Sequence, residues 1–89
     1  MPRLYTVPRE VVGETLEGRA VVLHLHTGRY FALNSTGTRM WQLLAAHGDP
    51  LVAIDEIAAL HGVDRAIVER DLFEFVSELI ARGLLIAPE

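Results

Sequence analysis

The residues of this 89-residue chain that could do chemistry are few: four histidines, two serines and a set of acids crowded into one late segment. His24 and His26 stand two apart, which places them on one face of a strand, and two imidazoles can begin a metal site. There is no cysteine, and no third ligand is spaced to join them. His47 and His61 fall at the ends of helical segments, where the helix C-terminus favours imidazole. No metal is expected. Ser35 opens an apolar-periodic segment and reads as a cap, and Ser77 falls mid-helix. Glu69, Asp71, Glu74 and Glu78 mostly line the solvated face of the same helix. Glycines occur singly, so there is no phosphate-cradling loop. No nucleophile, acid–base pair or cofactor site emerges. The expected protein is not an enzyme and carries no cofactor.

Composition bounds the alternatives. Eighty-nine residues fit one small domain, 1–89, with a core of about 8–86. Hydrophobic residues make 51% and charged residues 22%, which is globular and argues against disorder. No apolar run is long enough to span a membrane, and the N-terminus has no signal-peptide core. A cytoplasmic protein without a membrane partner is expected. All eight basic residues are arginine and the net charge is −4. Residues 1–46 carry five Arg and three Glu, or +2; residues 47–89 carry three Arg and nine acids, or −6. A nucleic-acid partner needs a basic face. The acidic C-terminal half offers none.

The period of the apolar residues changes near residue 34, from strand-like to helical. Val11 to Leu16, Ala20 to Leu25 and Tyr30 to Leu33 read as a three-stranded meander. A two-residue turn is expected at Glu17-Gly18 and a second tight turn at Thr27-Gly28. A first helix follows Asn34-Ser35, either of which can cap it. It buries Met40, Trp41, Leu43 and Leu44, and Gly48 ends it. Asp49-Pro50 opens a short second helix that ends at His61-Gly62. Asp64 caps a third helix that runs to Arg82, with Gly83 as its left-handed stop and a short extended tail after it. The spacing of the last two helices is that of a helix-turn-helix. The fold class is α+β: a winged helix-turn-helix, with an N-terminal three-stranded antiparallel sheet followed by three helices.

Two features exceed what such a fold requires. On the third helix, Val68, Leu72, Phe73, Phe75, Val76, Leu79 and Ile80 span an arc of roughly 160°, whereas a helix on one core needs about 100°. Packing on two neighbours explains the excess; so does a groove along one margin. The third strand lies at the sheet edge, and residues 30–33 hold no charge and no proline to guard it. Either the chain's own ends cover that edge or a partner peptide can pair with it, dropping alternate side chains beside the helix.

The stretch Val21-Val22-Leu23-His24-Leu25-His26-Thr27-Gly28-Arg29-Tyr30-Phe31-Ala32-Leu33-Asn34, with Gly37, Met40-Trp41 and Leu43-Leu44, resembles the PqqD-like family. Ile54-Asp55-Glu56-Ile57, Gly62-Val63-Asp64 and Leu79-Ile80-x-Arg82-Gly83-Leu84-Leu85 match the rest of the pattern. The resemblance implies a recognition element for ribosomally made, post-translationally modified peptides. In that family the leader of a precursor peptide adds as a strand to the third β-strand and packs against the third helix. Carried over here, the peptide-binding residues are Arg29, Tyr30, Phe31, Ala32 and Leu33 on the strand. On the helix they are Leu72, Phe73, Val76 and Ile80, with Glu69 at the rim. Which helix margin faces the peptide stays open in the sequence.

The chain looks most like the free-standing leader-binding protein of split lasso-peptide systems. The implied partners are a precursor leader carrying a tyrosine and a proline, a leader-removing cysteine protease and an ATP-dependent lasso cyclase. Two alternatives stand beside this: a peptide chaperone for pyrroloquinoline quinone synthesis, and a winged-helix DNA-binding protein. The former group is more polar and contains proline where this chain has His24 to Arg29. The latter must contend with five acids against three arginines between Asp64 and Arg82.

Overall fold

The protein is described by a computed structural model covering residues 4–88. Its first half is built by one tight turn. Strands β1 (Val11–Leu16) and β2 (Arg19–His24) pair antiparallel, Val11 opposite His24 and Leu16 opposite Arg19. Glu17 and Gly18 between them have φ of 53° and 79°. A two-residue hairpin needs this left-handed pair if its twist is to match that of the strands. Strand β3 (Tyr30–Ala32) joins the other side of β2, giving the order β1-β2-β3.

The second turn includes the expected Thr27-Gly28 but is wider than a tight turn. His24 N–H donates to the Arg29 carbonyl at 2.9 Å, so four residues, Leu25 to Gly28, separate the closing pair. Nearby side chains explain the wider loop. His24 Nδ1 accepts from the N–H of His26 and of Thr27, both at 3.3 Å, and Thr27 Oγ1 accepts from Arg29 N–H at 3.2 Å. Side-chain acceptors of this kind offer the backbone an alternative to ladder pairing. Strand β2 accordingly stops at His24, one residue short of the expected Leu25.

Alternation assigns the two sheet faces. Val11, Ala20 and Val22 are buried on the inner face, with Phe31 opposite Val22. Val12, Leu16, Val21, Leu23, Tyr30 and Ala32 share the outer face; Val12, Leu16 and Tyr30 are exposed.

Each helix begins where a capping side chain sits. Asn34 caps α1 (Ser35–His47), its Oδ1 accepting from Gly37 N–H at 2.8 Å. Asp49 caps α2 (Pro50–His61) and Asp64 caps α3 (Arg65–Ala81), each accepting at 2.9 Å from the N–H two residues on. Helix α3 ends in a Schellman motif: Leu84 N–H donates to Leu79 O at 2.9 Å and Gly83 N–H to Ile80 O at 3.0 Å, with Gly83 at φ 74°. Leu79 and Leu84, both wholly buried, supply the apolar contact this motif favours. The α2–α3 pair with its Gly62 turn and the small sheet conform to a winged helix-turn-helix. Among the described residues no helix is long and apolar enough to cross a membrane.

The core lies between the sheet's inner face and the helices. Val22, Leu44, Ile54, Leu72, Leu79 and Leu84 are its largest fully buried members. Buried Thr38 ties α1 to the sheet, its Oγ1 accepting from Ala20 N–H at 2.8 Å. Trp41 approaches β1 this closely only because residue 13 is glycine: a Cβ there would come within 2.7 Å of Trp41 Nε1. The chain ends clasp one another. Thr6 N–H donates to Ile86 O at 3.0 Å and Ile86 N–H to Thr6 O at 2.8 Å, while Tyr5 N–H donates to Gly48 O at 2.8 Å. Since Trp41 is 6% exposed, Trp41→Ala is expected to lower stability by roughly 3–5 kcal/mol in chemical denaturation.

Candidate functional site

The backbone of β3 comes first, because its hydrogen bonds alternate in direction. Leu33 N–H donates to Ala20 O at 2.9 Å, and Arg29 O accepts from His24 N–H at 2.9 Å. Phe31, midway, stands opposite Val22. Residues 29, 31 and 33 therefore turn their polar groups toward β2. The N–H and C=O of Tyr30 and Ala32 point the other way, where the sheet has no further strand. The chain's ends do not take this edge among the described residues. They pair with each other and with Gly48 at the far end of α1, about 20 Å from Asn34 for a helix of this length.

Side chains make a trough beside this edge. The Phe31 and Phe75 rings lie 6.3 Å apart, centroid to centroid, and the Arg82 guanidinium stands 4.4 Å over the Phe31 ring. Three adjoining depressions continue from there. One of about 130 Å³ is bounded by Phe31 to Asn34, Gly37 and Phe75. A second, of about 360 Å³, shares Asn34, Gly37 and Phe75 with it and adds Thr36, Met40 and Asp71. A third, of about 390 Å³, shares Thr36, Met40 and Asp71 with the second and runs on past Ile57, His61, Val63, Ile67 and Val68. The line thus leads from β3, over the start of α1, to the α2–α3 turn.

This arrangement changes the expected helix wall. Arg29, Tyr30, Phe31, Ala32 and Leu33 stay together at the edge, with Leu33 buried and Tyr30 exposed. Leu72 and Val76 are 0% and 2% exposed and belong to the core, so they offer no surface. Phe73 and Ile80 are partly exposed, but on the opposite margin of α3. At 100° per residue they stand about 160° and about 140° from Phe75, and Glu69 about 120°. The Phe31–Phe75 contact decides the matter: β3 meets the margin that carries Asp71, Phe75 and Arg82. Asp71 and Phe75, with Gly37, Thr36 and Met40, line the trough, and Arg82 stands over Phe31 beside it; none was among the site residues expected from the sequence. The 4- and 7-residue spacing of Asp71, Phe75 and Arg82 is visible in the chain, but the side on which the sheet packs is not.

Charges at the site are locally compensated. Arg82 pairs with Glu78 at 3.0 Å and Arg70 with Asp71 at 3.4 Å. Elsewhere Arg39 pairs with Glu56 at 2.9 Å, and Arg65 pairs with Asp55. Exposed pairs of this kind contribute little to stability. Among the described residues no three His, Asp or Glu side chains converge on a point that could hold a metal ion. Unpaired strand donors and acceptors above an apolar trough are chemically complementary to an extended backbone with alternating apolar side chains.

The sequence profile described as coenzyme PQQ synthesis protein D (PqqD) matches residues 19–85. The chain belongs to the PqqD family. The matched span runs from β2 through α3 and so includes both walls of the trough. Among solved structures, TbiB1 in complex with the TbiA(beta) leader peptide is 40% identical, with 90% of this chain and 93% of that one covered at a TM-score of 0.85. Lasso peptide synthetase B1 complexed with the leader peptide shares the fold at 23% identity, with 92% and 96% covered and a TM-score of 0.84. No curated protein matches the chain significantly.

The register carries its own check. In amide exchange followed by NMR, Phe31 and Leu33 should be protected while Tyr30 and Ala32 exchange at least about tenfold faster, since only the former pair donates to β2. Uniform protection across residues 30–33 would show the edge to be covered.

Proposed function

We propose that this PqqD-family protein binds the leader segment of a ribosomally made precursor peptide, and that it works by binding rather than by catalysis. The observation that carries this reading is the open main chain of Tyr30 and Ala32 beside the Phe31–Phe75 trough. The leader adds to β3 as a fourth strand. Its inward side chains enter the trough, and main-chain pairing provides affinity while the depressions provide selectivity. The small depression beside Gly37 suits a prolyl-sized group. The larger one suits a tyrosyl group, with Thr36, His61 and Asp71 as polar contacts for its hydroxyl. The leader complex of a relative 40% identical over most of both chains supports the assignment.

Within that reading the system is lasso-peptide biosynthesis, and the bound precursor is handed to a leader protease and an ATP-dependent cyclase. Binding the leader raises the local concentration of the remaining segment for those enzymes. A DNA-reading role for α3 finds no comparable support. Its N-terminal arginines, Arg65 and Arg70, are each held by an acid, and Glu69, Asp71 and Glu74 surround them.

The test is a titration of the leader half of the cognate precursor. Ala32→Pro removes one of the two outward donors at an edge position that tolerates proline. It is expected to weaken leader binding about tenfold or more while thermal unfolding by circular dichroism stays close to wild type. Bound leader should also slow exchange at the Tyr30 and Ala32 amides. Equal affinity of the variant, or unchanged exchange at these amides, would remove the strand-addition mechanism.

A further inference from the structure

We infer that Arg82 selects an acidic side chain in the bound peptide, at the position that lies opposite Phe31. The inference rests on the peptide-binding reading and deepens it by naming the chemistry of one subsite. Any strand that bonds to both Tyr30 and Ala32 must set one of its residues across from Phe31. Opposed residues on neighbouring strands point to the same face, with Cβ atoms about 4.5–5.5 Å apart. That face is the inner one, because Phe31 opposes the buried Val22. The incoming side chain therefore arrives beside the Phe31 ring, and the Arg82 guanidinium already stands 4.4 Å over that ring.

The geometry of the arginine leaves it ready for an anion. A guanidinium held over an aromatic ring by attraction to the ring face keeps the N–H donors that are not paired elsewhere available to an anion. Arg82 has five such donors. Its side-chain pairing among the described residues is a single contact, from one terminal nitrogen to Glu78 Oε1 at 3.0 Å. Its side chain is 46% exposed, so a carboxylate can reach the remaining edge and take two parallel hydrogen bonds. The backbone places the base of this side chain firmly. Arg82 is the C-cap of α3, its N–H bound to Glu78 O at 3.1 Å, and Gly83 and Leu84 close the Schellman motif behind it. Phe31, packed on Phe75 from β3, fixes the ring below. Glu78 is the competitor: it holds part of the guanidinium now, and an incoming carboxylate shares or displaces it.

Glu78 and Arg82 thus act in opposite directions on one preference. Arg82→Gln should abolish the preference for an acid, and Glu78→Gln should sharpen it. Both side chains are about half exposed, so neither exchange threatens the core.

The experiment uses a display library of randomised short peptides selected on the wild-type chain, on Arg82→Gln and on Glu78→Gln, with circular dichroism melts of all three. Peptides recovered on the wild type should carry Asp or Glu at one position, a fixed distance from their apolar anchors. Synthetic copies with Glu at that position should bind the wild type about tenfold more tightly than copies with Lys. On Arg82→Gln the two should bind alike, and on Glu78→Gln the gap should widen. Recovered peptides without that acid, or a Glu-to-Lys ratio unchanged in Arg82→Gln, overturn the inference and leave peptide binding standing. Recovery of no peptide on the wild type removes the binding reading and this inference with it.

Discussion

A β-strand has two hydrogen-bonding sides, and β2 can satisfy only one side of β3. That constraint governs the rest of the site. With Arg29, Phe31 and Leu33 committed to β2, the main chain of Tyr30 and Ala32 has no partner in the sheet. The same parity sends the Phe31 side chain inward to α3 and the Tyr30 and Ala32 side chains outward. A slip of one residue would reverse both assignments together, turning Phe31 to solvent and closing the donors that now face out. Register is held at one end by Ala20, whose carbonyl takes Leu33 N–H and whose own N–H is held by Thr38 of α1. At the other end it is held by the His24-centred loop.

Helix α3 serves two purposes with different residues. Its centre line of Val68, Leu72, Val76 and Leu79 is buried and contributes to stability through removal of apolar surface from water. The margin with Asp71, Phe75 and Arg82 borders β3; Phe75 packs on the core from there, while Asp71 and Arg82 are half-exposed charges. A change at Asp71 or Arg82 spares the core, whereas a change at Leu72 does not. Exposed charges on the margin are held by pairs across one turn or less.

Much of this was legible in the chain. Asn34, Asp49 and Asp64 each announce a helix start through a side chain that accepts from a nearby N–H, and Gly48, Gly62 and Gly83 announce the stops; local chemistry of this sort needs no tertiary knowledge. The open third strand was legible too, from the absence of charge and proline at 30–33. The turn after β2 was not, because nothing in the sequence shows that His24, the last residue of the strand, accepts at Nδ1 from His26 and Thr27. The helix margin was also hidden. Phe73 and Phe75 look alike in the sequence, and only the side on which the sheet packs separates one from the other. Leu72 and Val76 fell inside the expected wall because an over-wide apolar arc does not reveal which part of it is core.

The clasp between Thr6 and Ile86 has a further consequence. Both strands of that bridge lie near the C-terminal end of α1, while the trough beside β3 begins at its N-terminal end. Polypeptide joined upstream or downstream of this bridge therefore departs from neighbouring points. A module with such anchor points can be spliced into a larger protein or tethered to one by a linker.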